Sequence, residues 1–292
     1  MDIFFQIIFS GLTVGAMYAA GTISLSLLWS SMGMLNLANG SFIAIGGYAA
    51  YFCITLLGGH WLFAIPMAIV AGIVTGYLLY HLVVRWLFEK PDFAINIIIS
   101  TVAVSALIEN LILNIFGPEA RRQPFQLTGG PSIGGAVLPY QTLLTVAVAL
   151  ILLVVVMWIV RRTRIGLVIR AVAQQSDAAQ LMGINVSASF CTAMMLASVV
   201  GTVSGVLVTA STQLFPAVGF DSTVKALVIC IIAGLGNIRA SILMAFALGL
   251  FEIAVQYIFG QRFGFPSMLG LVIIVLIARP AGLFGKEAVT RV

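Results

Sequence analysis

The chain has 292 residues, of which 61% are hydrophobic and only 8% are charged. Soluble domains average about 45–50% apolar and about 25% charged residues, so this composition excludes an ordinary soluble globular protein. The formal net charge of +5 would suggest nucleic acid binding in a soluble protein, but here we attribute it to orientation in a membrane. Cys53, Cys191 and Cys230 lie in apolar stretches without CxxC or Cys/His ligand spacing, which predicts packing residues and no metal site.

Apolar stretches of about 20 residues, the length that crosses a bilayer as a helix, follow one another along the chain. A β-barrel would alternate polar and apolar residues over segments of about 10, and no such alternation occurs. We therefore predict an all-α integral membrane protein, a single transmembrane domain over residues 1–292 with about eight or nine segments. The seventh segment is short for a crossing, so eight spans and one re-entrant piece are the alternative. The predicted segments are Ile3–Trp29, Ser41–Leu57, Trp61–Val84, Phe93–Phe116, Tyr140–Val160, Ala188–Ala210, Thr223–Leu235, Ala240–Phe259 and Pro266–Ala278.

If the connections alternate between the two sides of the membrane, most basic residues fall on one side. The positive-inside rule makes that side cytoplasmic, which places the C-terminus in the cytoplasm and the N-terminus outside. One missed crossing early in the chain would reverse the N-terminal side. The basic residues on the predicted cytoplasmic side are Arg85, Lys90, Arg161, Arg162, Arg164, Arg170, Arg239, Arg279, Lys286 and Arg291. The opposite side receives Arg121, Arg122 and Arg262, with Lys225 near its edge.

Two of the predicted connections are long. The outer one, residues 117–139, contains four prolines and the pairs Gly129–Gly130 and Gly134–Gly135, which disfavour a regular helix and indicate an ordered cap or a docking surface. The inner one, residues 161–186, opens with arginines and continues as AVAQQSDAAQLMGI. This run favours a helix that ends at Gly183 and lies along the membrane surface.

The inner connection carries a family resemblance. Asp177, Ala178, Ala179 and Gly183 resemble the cytoplasmic coupling helix of ABC importer permeases, in which an Ala-Ala pair is followed at short spacing by Gly. The wider stretch TRIGLVIRAVAQQSDAAQLMGINVSASF resembles the permeases for branched-chain amino acids, a family that also includes urea and amide permeases. Four further stretches resemble this family in the expected order: GLTVGAMYA from Gly11, MLNLANG from Met34, GFDSTVKALVICIIAGLGNI from Gly219 and ARPAGLFGK from Ala278.

Two positions depart from the family pattern. Asn39 stands where relatives usually have His, and an amide cannot titrate near neutral pH as imidazole does, so no protonation role is expected there. Arg239 and Ala240 follow Gly-Leu-Gly-Asn-Ile where the family tends to have small residues or Pro. The arginine agrees with a cytoplasmic position for that turn.

The resemblance implies an ABC importer permease that works within a larger assembly in a bacterial inner membrane. Its expected partners are a homologous or identical second permease, two cytoplasmic nucleotide-binding subunits, an extracytoplasmic binding protein and membrane lipid, with no nucleic acid. The binding protein would deliver branched-chain or related amino acids, and the outer loop is our candidate for its dock. A permease for urea or short amides is the alternative within the same family.

The chain has no motif for driving transport by itself. A phosphate-binding loop needs GxxxxGK[ST], and the closest stretch, Gly285-Lys286-Glu287, lacks the first Gly and the hydroxyl residue. HExxH and Gly-x-Ser-x-Gly are also absent, so we predict no catalytic residue and no cofactor in this chain, with ATP and Mg bound by partner subunits. A solvated interfacial helix without a partner is the alternative to a coupling helix. The predicted ATPase-coupling residues are Gln174, Gln175, Asp177, Ala178, Ala179, Leu181, Met182 and Gly183.

Polar residues within the apolar segments are candidates for the translocation pathway or a subunit interface. A carboxylate in lipid is costly, so such side chains should face a bundle interior, a partner or water. Bonding that only holds helices together is an equally good explanation for each of them. Carboxylates at Glu109 and Glu252 also leave open an autonomous secondary carrier or channel. The predicted pathway or interface residues are Asn36, Asn39, Asn96, Glu109, Asn110 and Glu252.

Overall fold

The computed structural model describes residues 2–88, 92–124, 129–133 and 136–285. Over these ranges the chain forms a helical bundle in which eight helices are long and apolar enough to cross a membrane. This confirms the predicted fold class. The α-helices are α1 (Asp2–Met32), α2 (Asn39–Tyr51), α3 (Ala64–Leu79), α4 (Arg85–Leu87), α5 (Phe93–Phe116), α6 (Tyr140–Arg162), α7 (Arg164–Gln174), α8 (Ser176–Leu181), α9 (Val186–Ser211), α10 (Val218–Ala233), α11 (Ile238–Phe259) and α12 (Gly264–Ala278).

Short non-α elements extend several of these helices. One π-helical turn, Phe52–Leu56, continues α2, and another, Tyr80–Val84, joins α3 to α4. Short 3-10 turns precede α3 and α12. In the outer connection, the two-residue strands β1 (Ser132–Ile133) and β2 (Ala136–Val137) pair antiparallel, while Gly134 and Gly135 lie outside the described residues.

The seventh predicted segment is the 16-residue helix α10, which is too short to count among the eight long spans. Before it, the backbone of Leu214 pairs with that of Arg121, just beyond the end of α5. After it, the backbone N–H of Leu283, which follows α12, donates to the carbonyl of Ile232. The segment that contains α10 therefore connects the region just beyond α5 with the region just beyond α12, and α10 is an additional shorter helix beside the eight long spans.

One end of the bundle brings together the C-terminal ends of α1 and α6, the N-terminal end of α11 and the stretch that follows α12, because residues from all four border one cavity. The connection that holds α7 and α8 lies at the same end. We call it the arginine-rich end. Its arginines are Arg85, Arg161, Arg162, Arg164, Arg170, Arg239 and Arg279, whereas Lys90, Lys286 and Arg291 lie outside the described residues.

Helix packing in the bundle uses small residues and hydroxyls. α1 packs along α11, where a Cβ added at Gly249 would lie 2.5 Å from the backbone nitrogen of Gly15. The helix α9 is the most buried of the long helices, and its Ser198 and Thr202 hydroxyls donate to the carbonyls of Gly72 and Ala68 of α3, both at 2.7 Å. These contacts let backbones approach closely, which is how helices associate in lipid.

The N-terminal end of α2 lies inside the bundle and not at its surface. Ser41 donates to Ser105 at 3.1 Å, and Ser105 lies near the middle of α5. The start of α10 meets the start of α2 where Gly40 and Gly219 cross, because a Cβ on Gly40 would collide with the backbone of Gly219. Two helix N-termini therefore come together within the bundle, next to α5.

Candidate functional site

The predicted coupling segment folds as two helices and not as one. Gln175 has extended backbone angles (φ −158°, ψ 100°) and separates α7 from α8. The prediction of a single continuous helix over this run was therefore wrong. The expected end at Gly183 is correct: its φ of +84° ends α8 in a Schellman arrangement, with the Ile184 N–H donating to the carbonyl of Ala179.

The two helices are fixed to the bundle by one face. Gly166, Ile169 and Val172 of α7 are buried, and α7 contacts α1, α6 and α9. The Thr163 hydroxyl accepts from the Gly166 N–H at 3.2 Å and so caps α7. Burying this amphipathic face attaches the α7–α8 pair firmly to three long helices.

The other face of α8 is open. Leu181 and Met182 are 89% and 84% exposed. Adjacent large apolar side chains with this exposure are typical of a surface that contacts another protein. Ala179 is only 6% exposed and packs in the core of this chain, so the structure gives it a packing position. Gln174, Gln175, Asp177 and Gly183 are exposed, and Ala178 is half-buried. We call the surface formed by Leu181 and Met182 the α8 tip.

A cavity of about 280 Å³ lies between α1, α2, α9, α10 and α11. Its walls are mainly apolar, with Met17, Ile43 and Val208 among the lining residues. Charged residues border it as well, contributed by Asp221 and Lys225 of α10 and Glu252 of α11. We call this space the central cavity.

Glu252 and Lys225 form an ion pair beside this cavity, with 3.3 Å between Nζ and Oε1. The Glu252 side chain is 4% exposed and that of Lys225 is 26% exposed. Tyr18 joins them, because its hydroxyl donates to Glu252 Oε2 and accepts from Lys225 Nζ at 2.6 Å. Gln256 donates to Glu252 Oε1 at 3.2 Å. Both oxygens of the buried carboxylate therefore accept hydrogen bonds, as a charge within a membrane-spanning bundle requires.

Two of the remaining predicted pathway residues, Asn36 and Asn39, are buried and hold the start of α2 in place. Asn36 Oδ1 accepts from the Ala38 N–H at 2.9 Å, and Asn39 Oδ1 accepts from Ser24 at 2.7 Å. Neither asparagine borders the central cavity. Their contacts are those expected of residues that fix a turn within the bundle.

The three predicted residues of α5 are not brought together with Glu252. Asn96 is half-buried near the start of α5, and Asn110 is exposed, with its amide donating to the Ala106 carbonyl at 2.8 Å. Glu109 is half-buried and borders a much smaller space next to Gly40 and Gly219. Of the six predicted pathway residues, only Glu252 borders the central cavity.

The sequence pointed to Glu252 but not to its partners. Lys225 was placed near the outer edge of the membrane, and Tyr18 was not singled out. The available signal was that Lys225 and Glu252 are opposite charges within apolar segments, because such charges usually pair with each other. Sequence alone could not show which segments are neighbours.

The beginning of the outer connection is also anchored more firmly than expected. Gln123 is buried, and its amide donates to the Gly47 carbonyl at 2.8 Å and to Thr209 Oγ1 at 3.0 Å. The Arg121 guanidinium donates to the Tyr51 hydroxyl at 3.1 Å. This part of the loop therefore ties α2 to α9.

Comparison with known proteins identifies the family. Residues 7–278 match the family described as the permease component of branched-chain amino acid transport systems. The chain belongs to this family. The resemblance inferred from the sequence is thereby confirmed, and the chain is a multi-pass permease component of a transport system.

Named relatives extend over nearly the whole permease. The high-affinity branched-chain amino acid transport system permease protein BraD of Pseudomonas aeruginosa is 27% identical, over 99% of this chain and 98% of BraD. LivH of Escherichia coli is 24% identical over the same shares. The probable branched-chain amino acid permease LivH of Methanocaldococcus jannaschii is 23% identical, over 91% of this chain and 87% of its own. None of these three names refers to urea or amides.

A solved structure supports the fold of the permease. The complex of PsaBC from Streptococcus pneumoniae with a Fab contains a chain that aligns with a TM-score of 0.51 and 14% sequence identity, over 91% of this chain and 90% of that chain. At this identity the similarity concerns the fold alone.

Proposed function

We propose that this chain is the transmembrane permease subunit of an ATP-driven importer for branched-chain amino acids. The α8 tip carries this proposal, because it presents two large apolar side chains on a helix pair that is rigidly attached to α1, α6 and α9. The family match over residues 7–278 supports the transport role. ATP and Mg are bound by two partner subunits, and a binding protein delivers the amino acid.

The α8 tip inserts into a cleft of the ATPase subunit. Because α7 is buried against three long helices, closure of the ATPase pulls on the bundle as a rigid body. Exposed polar groups at Gln174, Gln175 and Asp177 add hydrogen bonds around the apolar contact. In this arrangement Ala179 supports α8 from within the permease, and Leu181 and Met182 make the contact.

The surrounding assembly follows from this role. The arginine-rich end and the C-terminus face the cytoplasm of a bacterial inner membrane, in keeping with the positive-inside rule. A second permease, identical or homologous, completes the pathway. The anchored outer loop that contains Arg121 and Gln123 lies at the opposite end, where a binding protein would dock.

An autonomous carrier is the competing function, and the ion pair disfavours it. A coupling carboxylate has to exchange an ion, but Glu252 is held by Tyr18, Lys225 and Gln256 at once. Glu109 keeps a half-buried position away from the central cavity.

The test replaces both side chains of the α8 tip by aspartate. In Leu181→Asp/Met182→Asp, we expect at least a tenfold loss of ATP-dependent L-leucine uptake and of ATPase that copurifies with the tagged permease, because the apolar contact is lost. The control Leu181→Met/Met182→Leu keeps the apolar surface and should behave as wild type. Equal amounts of each variant in the membrane show that folding is intact. Normal uptake by the aspartate variant would contradict the proposal.

A further inference from the structure

Two opposite charges on α10 face the central cavity. Asp221 and Lys225 are four residues apart, which puts their side chains on the same face of the helix, one turn from each other. Both also border a second cavity, lined by Phe220, Val224 and Phe265. The two charged side chains therefore stand where two cavities meet along α10.

Asp221 and Lys225 do not form a salt bridge with each other. The only salt bridge in the described ranges joins Lys225 to Glu252, and in the same ranges the Asp221 side chain has no hydrogen bond. A lysine ammonium has three N–H donors. Two of them are used, by Glu252 Oε1 and by the Tyr18 hydroxyl. One donor and one free carboxylate are therefore available beside the central cavity.

The rest of the cavity wall is suited to a small aliphatic group. Met17, Ile43, Val208, Phe215 and Ile253 line it. Its volume of about 280 Å³ lies at the lower limit of ligand pockets, which are about 300–1,000 Å³. Apolar walls with a few convergent polar groups are the usual composition of a small-molecule site.

We propose that the central cavity binds a zwitterionic aliphatic amino acid during its passage through the permease. The substrate carboxylate accepts from Lys225, the substrate ammonium pairs with Asp221, and the aliphatic side chain lies against Met17, Ile43 and Val208. Glu252 and Tyr18 are positioning residues that hold the lysine ammonium. A neutral solute such as urea would form no ion pair with Asp221 or with Lys225. This inference rests on the proposed function, because it assigns a substrate site to that importer.

The experiment measures equilibrium binding of radiolabelled L-leucine to the purified complex without its binding protein. Unlabelled 4-methylpentanoate, which lacks the ammonium, and leucinamide, which lacks the carboxylate, serve as competitors. We expect saturable leucine binding to the wild type and at least tenfold weaker competition by either analogue. Asp221→Asn should weaken leucine binding at least tenfold and should bring leucine and 4-methylpentanoate to similar affinity, because the ammonium contact is lost.

A second variant tests whether Lys225 binds the substrate carboxylate, and a control tests whether loss of a carboxylate elsewhere in the chain has the same effect. Lys225→Met/Glu252→Gln removes both charges of the ion pair together and should abolish the advantage of leucine over leucinamide. Glu119→Gln removes an exposed carboxylate of the outer loop and should leave binding unchanged. Wild-type leucine affinity in Asp221→Asn would overturn the inference.

The same assay separates this inference from the proposed function. If the wild-type complex imports L-leucine in the presence of binding protein and ATP but shows no saturable binding by itself, the cavity site is wrong and the importer role stands. If the complete wild-type system imports no leucine, the proposed function is contradicted, and this inference falls with it.

Discussion

Removing Lys225 from its ion pair with Glu252 should destabilise the permease more than removing the charge of Glu252. Lys225→Met leaves a carboxylate that is 4% exposed with only neutral donors, Tyr18 and Gln256. Breaking a buried pair in this way costs about 3–5 kcal/mol. Glu252→Gln instead leaves an ammonium that is 26% exposed and still bonded to Tyr18, so we expect a loss of about 1–3 kcal/mol, the cost of an unsatisfied polar group.

A double-mutant cycle measures this difference. Because Lys225→Met/Glu252→Gln leaves no uncompensated charge, its loss of stability should be smaller than the sum of the two single losses by about 1–3 kcal/mol. The assay is reversible unfolding of the purified permease in mixed micelles, followed by circular dichroism. Equal losses for the two single variants, or strict additivity in the double variant, would refute the burial argument.

Three other substitutions probe the packing of the fold. Gly249→Ala puts a Cβ 2.5 Å from the Gly15 backbone nitrogen, so in the same assay it should lower the free energy of unfolding by about 1–3 kcal/mol. The control Gly270→Ala has open space around its Cβ and should not lower the free energy of unfolding. Gln123→Ala removes the donor to the Gly47 carbonyl and should cost about 1–2 kcal/mol, seen as a lower thermal midpoint that the exposed Gln213→Ala does not share. Gly183→Ala forces a φ of +84° on a residue with a Cβ and should cost about 1 kcal/mol, with copurifying ATPase reduced; wild-type stability in this variant would show that α8 can end in another way.

The membrane-spanning architecture could be predicted because it depends on local composition. Long apolar runs have to form helices in lipid whatever their neighbours are, and the positions of α5 and α9 followed from this. The break at Gln175 could not be seen in the same way. Most residues around it favour helix, and the packing of Val172 and Ala179 against the bundle sets the direction of each half.

The candidate site was predictable only in part. The resemblance located the coupling segment, but it gave no information on which side chains point outward, so the predicted coupling residues include both Ala179 and Met182. Glu252 was conspicuous because it is a charge in an apolar stretch. Its partner Lys225 is separated from it by 27 residues and lies on another helix, so the pairing depends on how α10 and α11 pack, and that is a property of the whole bundle.

Reconstitution tests the central claim most directly. The purified permease is placed in vesicles by itself and, in parallel, with its ATPase subunits, second permease and binding protein, and uptake of radiolabelled L-leucine is measured with ATP on the side of the ATPase. The account predicts accumulation above the external concentration only in the complete system. Accumulation by this chain alone, with or without ATP, would contradict it.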